Sequence, residues 1–554
     1  MKKNIVFLVV VIALLFASCG NKTSRSDIDP DTGFWTGEIT FAPYMFGPFD
    51  SSKDIVVKEI QRILEERYKV KVKLTNVYVE YLNYFEIINT RVAGGTAPDV
   101  WLGGGDSQIT EYYDQGVIAA WDEAFFRRNA PVISSYIDKG GSRGTLDSAR
   151  WWKGAKLGSG TVGKMVTLPS PPYGEFITPT GVVYRGDWLQ NLGVTNPPAD
   201  LNEWVALMRR FTFEDPDRNG RNDTFGFSSS MMRVVFTAFG LYSPYLASTG
   251  SGNSGWWYYR DGRVQNVDTL PENKEALALL RQLYAEGVID PTFVATERNP
   301  SGYWAESPTF INGTIGVSAH ASFDHYRMKE VMNDAGGPVA QTYWAVNGEN
   351  PGFKYGPFLR GPRGESGWYL DNNYALGESY VYNKELEKNP EKLAMLLKLL
   401  DIFASDEELM MLACYGVPGV TYNLNAVGVP VMIGDNAERN AMGWAATRAI
   451  YGPNNTFNPA QNEFWYKDAS RQNLVDLQKQ FGGGAYMPAI AGWPASTSLY
   501  AADLYSYREE TFTKIVRGEL PVDYFDTTYL REYMNRGGRV LEEEANAMYR
   551  EQNP

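Results

Sequence analysis

The chain has 554 residues, with 52 Lys and Arg against 65 Asp and Glu, a formal charge of −13, two His and two Cys. An acidic chain with no long basic block lacks the footprint of a nucleic-acid binder, two Cys exclude a disulfide framework, and two His leave little for imidazole chemistry. The positive oddity is aromatic: 15 Trp, 35 Tyr and 27 Phe make up 14% of the chain.

Lys2 and Lys3 precede an apolar run from Ile5 to Ala17 that ends Phe16-Ala17-Ser18-Cys19. The run has the length of a signal-peptide core and is too short to span a bilayer. Its end resembles a bacterial lipobox, with Phe16 where Leu is usual. Residues 1–18 are therefore read as a lipoprotein signal peptide cleaved before Cys19, whose acyl chains would anchor the protein. Residues 19–35, rich in Ser, Thr, Asp, Asn and Gly, read as a flexible tether. An ordinary secretory signal is the alternative. Cys414 is expected to be a lone buried thiol.

The body reads as alternating strands and helices. Glu38 to Phe41 alternates as a strand, and Asp50 or Ser51 is placed to cap a helix over about 54–68. Val70, Val72 and Leu74 alternate with Lys as a second strand. Leu82, Phe85 and Val92 continue as a helix stopped by Gly94-Gly95, and Pro98 to Leu102 reads as a buried strand. This order predicts a parallel sheet in an α/β fold. Later, Ala276, Leu279, Leu280 and Leu283 form a helical stripe closed by Gly287. Asn389-Pro390 opens another helix, and Ser405 to Glu408 has capping-box spacing.

Several segments resemble the extracellular solute-binding proteins, family 1, of ABC importers. They are Ala93-Gly94-Gly95-Thr96-Ala97-Pro98-Asp99-Val100; Tyr184-Arg185-Gly186-Asp187-Trp188-Leu189 followed by Pro198 to Trp204; Leu283 to Pro291; Phe310 to Val317; Tyr415 to Tyr422; and the tail from Glu510 to Tyr549. Asp200 stands where the family has Thr, and Pro418 where it has Glu. The nearest subgroup is similar to the LplA-like and alginate-oligosaccharide-binding lipoproteins.

The resemblance implies a two-lobe, periplasmic-binding-protein-like α/β fold of type II, with a hinge and a ligand cleft between the lobes. Residues 36–178 with about 375–435 would form the first lobe, and 179–374 with about 436–554 the second. Crossings are expected near 177–180, 372–377 and 425–440. The implied function is capture of a carbohydrate, an oligosaccharide, and its delivery to an ABC permease from a lipid-anchored position at the cell surface or in the periplasm. A monomer with no nucleic-acid partner is expected.

A sugar cleft gives the aromatics a role, because indole and phenol faces cover the C–H face of a sugar while few polar groups hold its hydroxyls. Ligands of α/β folds bind beyond the carboxyl ends of strands. That places Tyr44 and Phe46 after the first strand, and Gly104, Gly105 and Asp106 after Leu102. Asp106 could instead cap a helix. The resemblance adds His320 and Phe323 after the Gly313–Val317 segment, and Trp493. Trp256 and Trp257, at the end of a Gly/Ser loop, read as a cleft rim or as a hairpin cluster. Trp188 and Trp204 read as core.

Asp215 to Asp223 matches D-x-[DN]-x-[DN]-G-x-x-D. In a calcium loop Asp215, Asp217, Asn219 and Asp223 would offer side-chain oxygens and Arg221 its carbonyl. Position 12 is Gly226 rather than Glu, and 224–228 reads as extended, so this is not a helix–loop–helix. The alginate-binding relatives imply a structural Ca²⁺; a solvated turn is the alternative. A peptide or another polar solute is the second ligand class. A secreted glycoside hydrolase is the enzyme alternative, but the acidic runs 406–408 and 542–544 read as solvated helix faces, and no hydrolase motif is present. A surface adhesin would share the anchor without needing lobes.

Overall fold

The structure, a computed structural model, describes residues 27–43, 49–80, 83–104, 106–140, 148–156, 163–168, 181–242, 257–295, 307–323, 325–332, 335–369, 380–426, 428, 430–444, 473, 476–477, 479–482, 484–486, 488–490 and 493–554. Its strands Glu38–Ala42, Lys73–Asn76 and Val100–Leu102 pair in parallel, with Phe41 opposite Val100 and Glu38 opposite Lys73. Helices Val56–Tyr68 and Tyr84–Ala93 make the crossovers, and Gly95 (φ 64°) ends the second of them in the left-handed region. A fourth strand, Tyr380–Tyr382, joins antiparallel along Val100–Leu102.

Asp99 ties this sheet together. Its carboxylate accepts from the Thr40 N–H (2.7 Å) and hydroxyl (2.8 Å), and Lys392 Nζ lies 2.8 Å from both of its oxygens. The helix Pro390–Ser405, capped by Asn389, packs Leu396, Leu397 and Leu400 into the same core. One apolar core thus gathers residues 35–168 and 380–414.

A second core gathers residues 182–359 and 490–548. Here Val182–Arg185 lies between Val317–Ser318 and Phe353–Gly356, antiparallel to both. The buried Arg185 guanidinium meets Asp187 (2.7 Å), Asn347 (3.0 Å) and the Phe310 carbonyl (3.1 Å), fixing three segments. A hairpin, Trp257–Arg260 with Arg263–Asn266, turns through Asp261 and Gly262, both at positive φ as a tight hairpin turn requires.

The caps differ from expectation. The first helix is capped from Asp54, whose Oδ1 accepts from the Val57 N–H at 2.9 Å, because Asp50 instead binds Ser52 in the preceding turn. The Glu407–Tyr415 helix is capped by Asp406 rather than Ser405. Burial works against that carboxyl's ionisation, yet the Leu409 N–H, the Tyr68 hydroxyl and Arg67 outweigh it and hold its pKa low. The 542–544 run is not a solvated face: Glu542 accepts from Asn266 N and Thr269 Oγ1, and Glu544 from Ser496.

Two segments also correct the expected organisation. The tether is not free as far as residue 35, since 27–35 form a hydrogen-bonded turn on the first core. Strands Tyr422–Leu424 and Pro430–Met432 pair antiparallel, followed by the helix Asn436–Ala441. Met442 O then accepts from Val56 N, and Trp444 Nε1 donates to Cys414 O, so the chain still lies on the first core where a crossing was expected. The segments expected at 177–180 and 372–377 lie outside the described residues. Cys414 is buried as expected.

Candidate ligand-binding site

The first core presents the carboxyl end of Val100–Leu102, where Gly103 and Gly104 lead into the helix Asp106–Asp114. A Cβ on Gly103 would stand 2.6 Å from Val381 and 2.8 Å from Ile109, so core packing itself demands this glycine. Gly104 is buried at φ 83°. Asp106 is the first residue of the helix; its side chain, with Gly105, Tyr44, Phe46, Trp256 and Cys19, lies outside the described residues.

The second core's helix Thr497–Val516 packs on Asp106–Asp114. Ser498 Oγ donates to Asp114 Oδ2 at 3.3 Å. Trp493 lies four residues before that helix begins and is half-buried, with an indole N–H that has no hydrogen-bond partner among the described residues. The helix that begins at Asp106 thus touches, at its Asp114 end, the helix that follows Trp493.

His320 is half-buried after Val317–Ser318, and its backbone N–H donates to Ser318 Oγ. Phe323 is 0% exposed, packed beside Tyr355 and Phe481. Trp257 is 1% exposed inside the hairpin core. Neither of these two rings offers a face to a ligand here. Their apolar surface is already covered, as it is for Trp188 and Trp204, both fully buried. Sequence reading missed a parallel stack of three tyrosines: Tyr242 on Tyr486 (5.0 Å between centroids) and Tyr486 on Tyr258 (4.2 Å). No local spacing signals it, because its members lie far apart in sequence.

The 215–223 loop draws its side chains inward. Asn219 N donates to Asp215 Oδ1 (3.1 Å), Asn219 Nδ2 to Asp217 Oδ2 (2.8 Å) and Asp223 Oδ1 (3.1 Å), and Gly220 N to Asp215 Oδ2 (3.1 Å). Burial pushes the Asp217 carboxyl pKa up, and the neighbouring Asp215 and Asp223 carboxylates push it further. An all-oxygen set under mutual repulsion suits a hard cation such as Ca²⁺. Among the described residues no group of three or more His, Cys, Asp or Glu is drawn together tightly enough to hold a metal as it stands. As expected, 224–228 is extended, with Phe225 bridged to Ile315 and Phe227 to Ile289.

This arrangement of two discontinuous cores has close counterparts among solved structures. The alginate-binding protein AlgQ2, solved without calcium ion, superposes with a TM-score of 0.61 at 18% identity, covering 93% of this chain and 98% of its own. The Streptococcus pneumoniae ABC-transporter substrate-binding protein FusA, in complex with kestose, gives the same TM-score at 18% identity, covering 93% and 99%. The chain has the fold of the ABC-transporter solute-binding proteins. The expected two-lobe α/β architecture is thereby borne out.

The resemblance read from the motifs is borne out as well. In sequence the chain is similar to the polygalacturonan/rhamnogalacturonan-binding protein YtcQ of Bacillus subtilis (strain 168), 22% identical over 432 residues, 76% of this chain and 74% of that protein. Lipoprotein LipO of the same organism is 24% identical over 244 residues, spanning only 44% of each chain. No protein-family model matches the chain.

Proposed function

We propose that the protein is the substrate-binding component of an ABC importer, which captures an oligosaccharide between its lobes and delivers it to a membrane permease. The observation that carries this reading is the near-complete overlap in fold with FusA and AlgQ2, together with the match to YtcQ. These relatives are named for binding rather than catalysis, and the chain is read as a binder without turnover.

In this reading residues 36–168 with 380–444 make the first lobe, which holds one apolar core, and 181–369 with 484–554 the second, which holds two. Asp106 accepts sugar hydroxyls from the first lobe, while Trp493 covers a sugar C–H face from the second. His320 lines the second lobe's wall. A carbohydrate that touches both lobes stabilises the closed arrangement by its preference for it.

Asp215, Asp217, Asn219 and Asp223, with the Arg221 carbonyl, hold a structural Ca²⁺ that pins their loop. The name of a FusA variant, an EF-hand mutant, and that of AlgQ2 without calcium ion support this assignment. Cys19 carries the lipid anchor, tethering the protein to a bacterial membrane at the cell surface or in the periplasm; no helix among the described residues is long and apolar enough to cross one. The protein acts as a monomer beside its permease.

The test is a tryptophan-fluorescence titration against neutral oligosaccharides, oligogalacturonides and short peptides. Saturable carbohydrate binding without product supports the reading. Product formation, or binding of peptides alone, contradicts it.

A further inference from the structure

The amino-terminal segment is fastened to the first lobe much closer to Cys19 than its composition suggests. Asp27 N donates to Glu391 Oε1 (3.0 Å), and Asp27 O accepts from Thr36 N (2.8 Å) and Thr36 Oγ1 (3.1 Å). Asp29 N donates to Phe34 O (2.7 Å) and Gly33 N to Asp29 O (2.8 Å), while Asp29 Oδ1 takes the Asp31 and Thr32 N–H groups. Trp35 then adds to the edge of the sheet: its N–H donates to Lys69 O (3.1 Å), and Lys71 N donates to its carbonyl (2.8 Å). The indole is 3% exposed.

Only residues 20–26 therefore separate Cys19 from a fixed point on the fold. Eight virtual bonds reach at most about 26–29 Å when extended. A compact chain of this size has a diameter of about 60 Å, from a radius of gyration of roughly 24 Å. The leash is thus shorter than the molecule.

We propose that the edge of the first lobe formed by residues 27–37 is the surface held against the lipid bilayer. The partner is the membrane surface itself. This rests on the lipid-anchor reading of Cys19 given above. Charge does not carry the orientation: Lys69, Lys71 and Lys73 are exposed beside the turn, but Lys71 pairs with Glu65 and Lys73 with Glu38, and Asp29 and Asp31 stand on the turn. The edge should therefore lie near neutral and anionic bilayers alike, insensitive to salt.

The test uses the full-length lipidated protein in phosphatidylcholine vesicles carrying an acceptor-labelled lipid, with and without phosphatidylglycerol. A donor dye is placed on Asp31→Cys in the turn, or on Phe213→Cys or Val346→Cys, both exposed on the second lobe. Cys414 is buried and does not compete for label. Energy transfer should be several-fold higher from position 31 than from either control, with or without phosphatidylglycerol. It should fall towards the controls when a 20-residue Gly/Ser insert follows Lys22. Equal transfer from all three positions of vesicle-bound protein, or no response to the insert, overturns the proposal. A wild type absent from the membrane fraction, or a Cys19→Ala variant that stays in it, overturns the anchor reading first and the proposal with it.

Discussion

Ser498 Oγ donates a hydrogen bond to Asp114 Oδ2 at 3.3 Å, joining residues 384 positions apart. Asp114 closes a helix beside the first core and Ser498 opens one beside the second, so this exposed contact joins the two cores. If it belongs to the ligand-holding arrangement, Ser498→Ala should weaken oligosaccharide affinity about 2–5-fold, with melting unchanged, as suits an exposed hydrogen bond to a carboxylate. Tighter binding in that variant would place the contact in the open arrangement instead.

Trp493→Ala and Asp106→Ala should each weaken carbohydrate binding tenfold or more while leaving the melting temperature within a few degrees. One residue removes a stacking face and the other a hydroxyl acceptor, and neither is needed by an apolar core. Unchanged affinity in both variants, by calorimetric titration, would move the site elsewhere.

Arg508 and Asp268 are buried together in the second lobe, with Nη1 3.1 and 3.2 Å from the two carboxylate oxygens, and Arg508 Nη2 2.8 Å from Glu509. Removing one partner strands the other charge. Arg508→Met should cost about 3–5 kcal/mol, and adding Asp268→Asn should recover part of it. Equal melting temperatures for wild type and single variant would show the pair to be energetically idle.

Burial pushes the Asp54 carboxyl from its ordinary 3.8 up to about 6, against the lowering effect of the Val57 N–H. Between those values the folded state binds more protons than the unfolded one, so stability falls as pH rises from about 4 to 6. Asn keeps the acceptor for Val57 without the charge. Asp54→Asn should therefore match wild type near pH 4 and exceed it by about 1 kcal/mol above pH 7, the full shift being discounted for partial solvent access. A variant less stable than wild type at pH 8 would mean that the helix end favours the charge more than burial opposes it.

Adding Ca²⁺ to chelator-treated protein should raise its melting temperature, and Asp217→Asn should abolish that rise. Calcium also relieves the repulsion that raises the Asp217 pKa, so the effect should weaken as pH falls and this carboxyl takes up a proton. A melt indifferent to calcium at neutral pH would leave the loop a plain turn.

Much of the first lobe was legible because its signals are local. The alternation through Glu38–Phe41, the stripe through Val56, Ile60 and Leu64, and the Gly94-Gly95 stop each lie within a few residues. The strand Tyr380–Tyr382 was not legible, because three residues carry no period and the partner, Val100–Leu102, lies about 280 positions upstream. The motif residues Asp99 and Arg185 could be recognised, but their work as ties to Lys392 and to Asn347 needed the fold. At the site, sequence gave a strand end for Asp106, yet it could not tell Trp257, which faces inward on its hairpin, from Trp493, which does not. Whether an aromatic ring is covered depends on elements far away in the chain.

In the proposed function a carbohydrate is held between two lobes that close on it. Small-angle X-ray scattering of the full chain, with and without a saturating oligosaccharide chosen by titration, tests it most directly. A smaller radius of gyration on saturation is the predicted result. An unchanged radius at demonstrated saturation would contradict capture between the lobes.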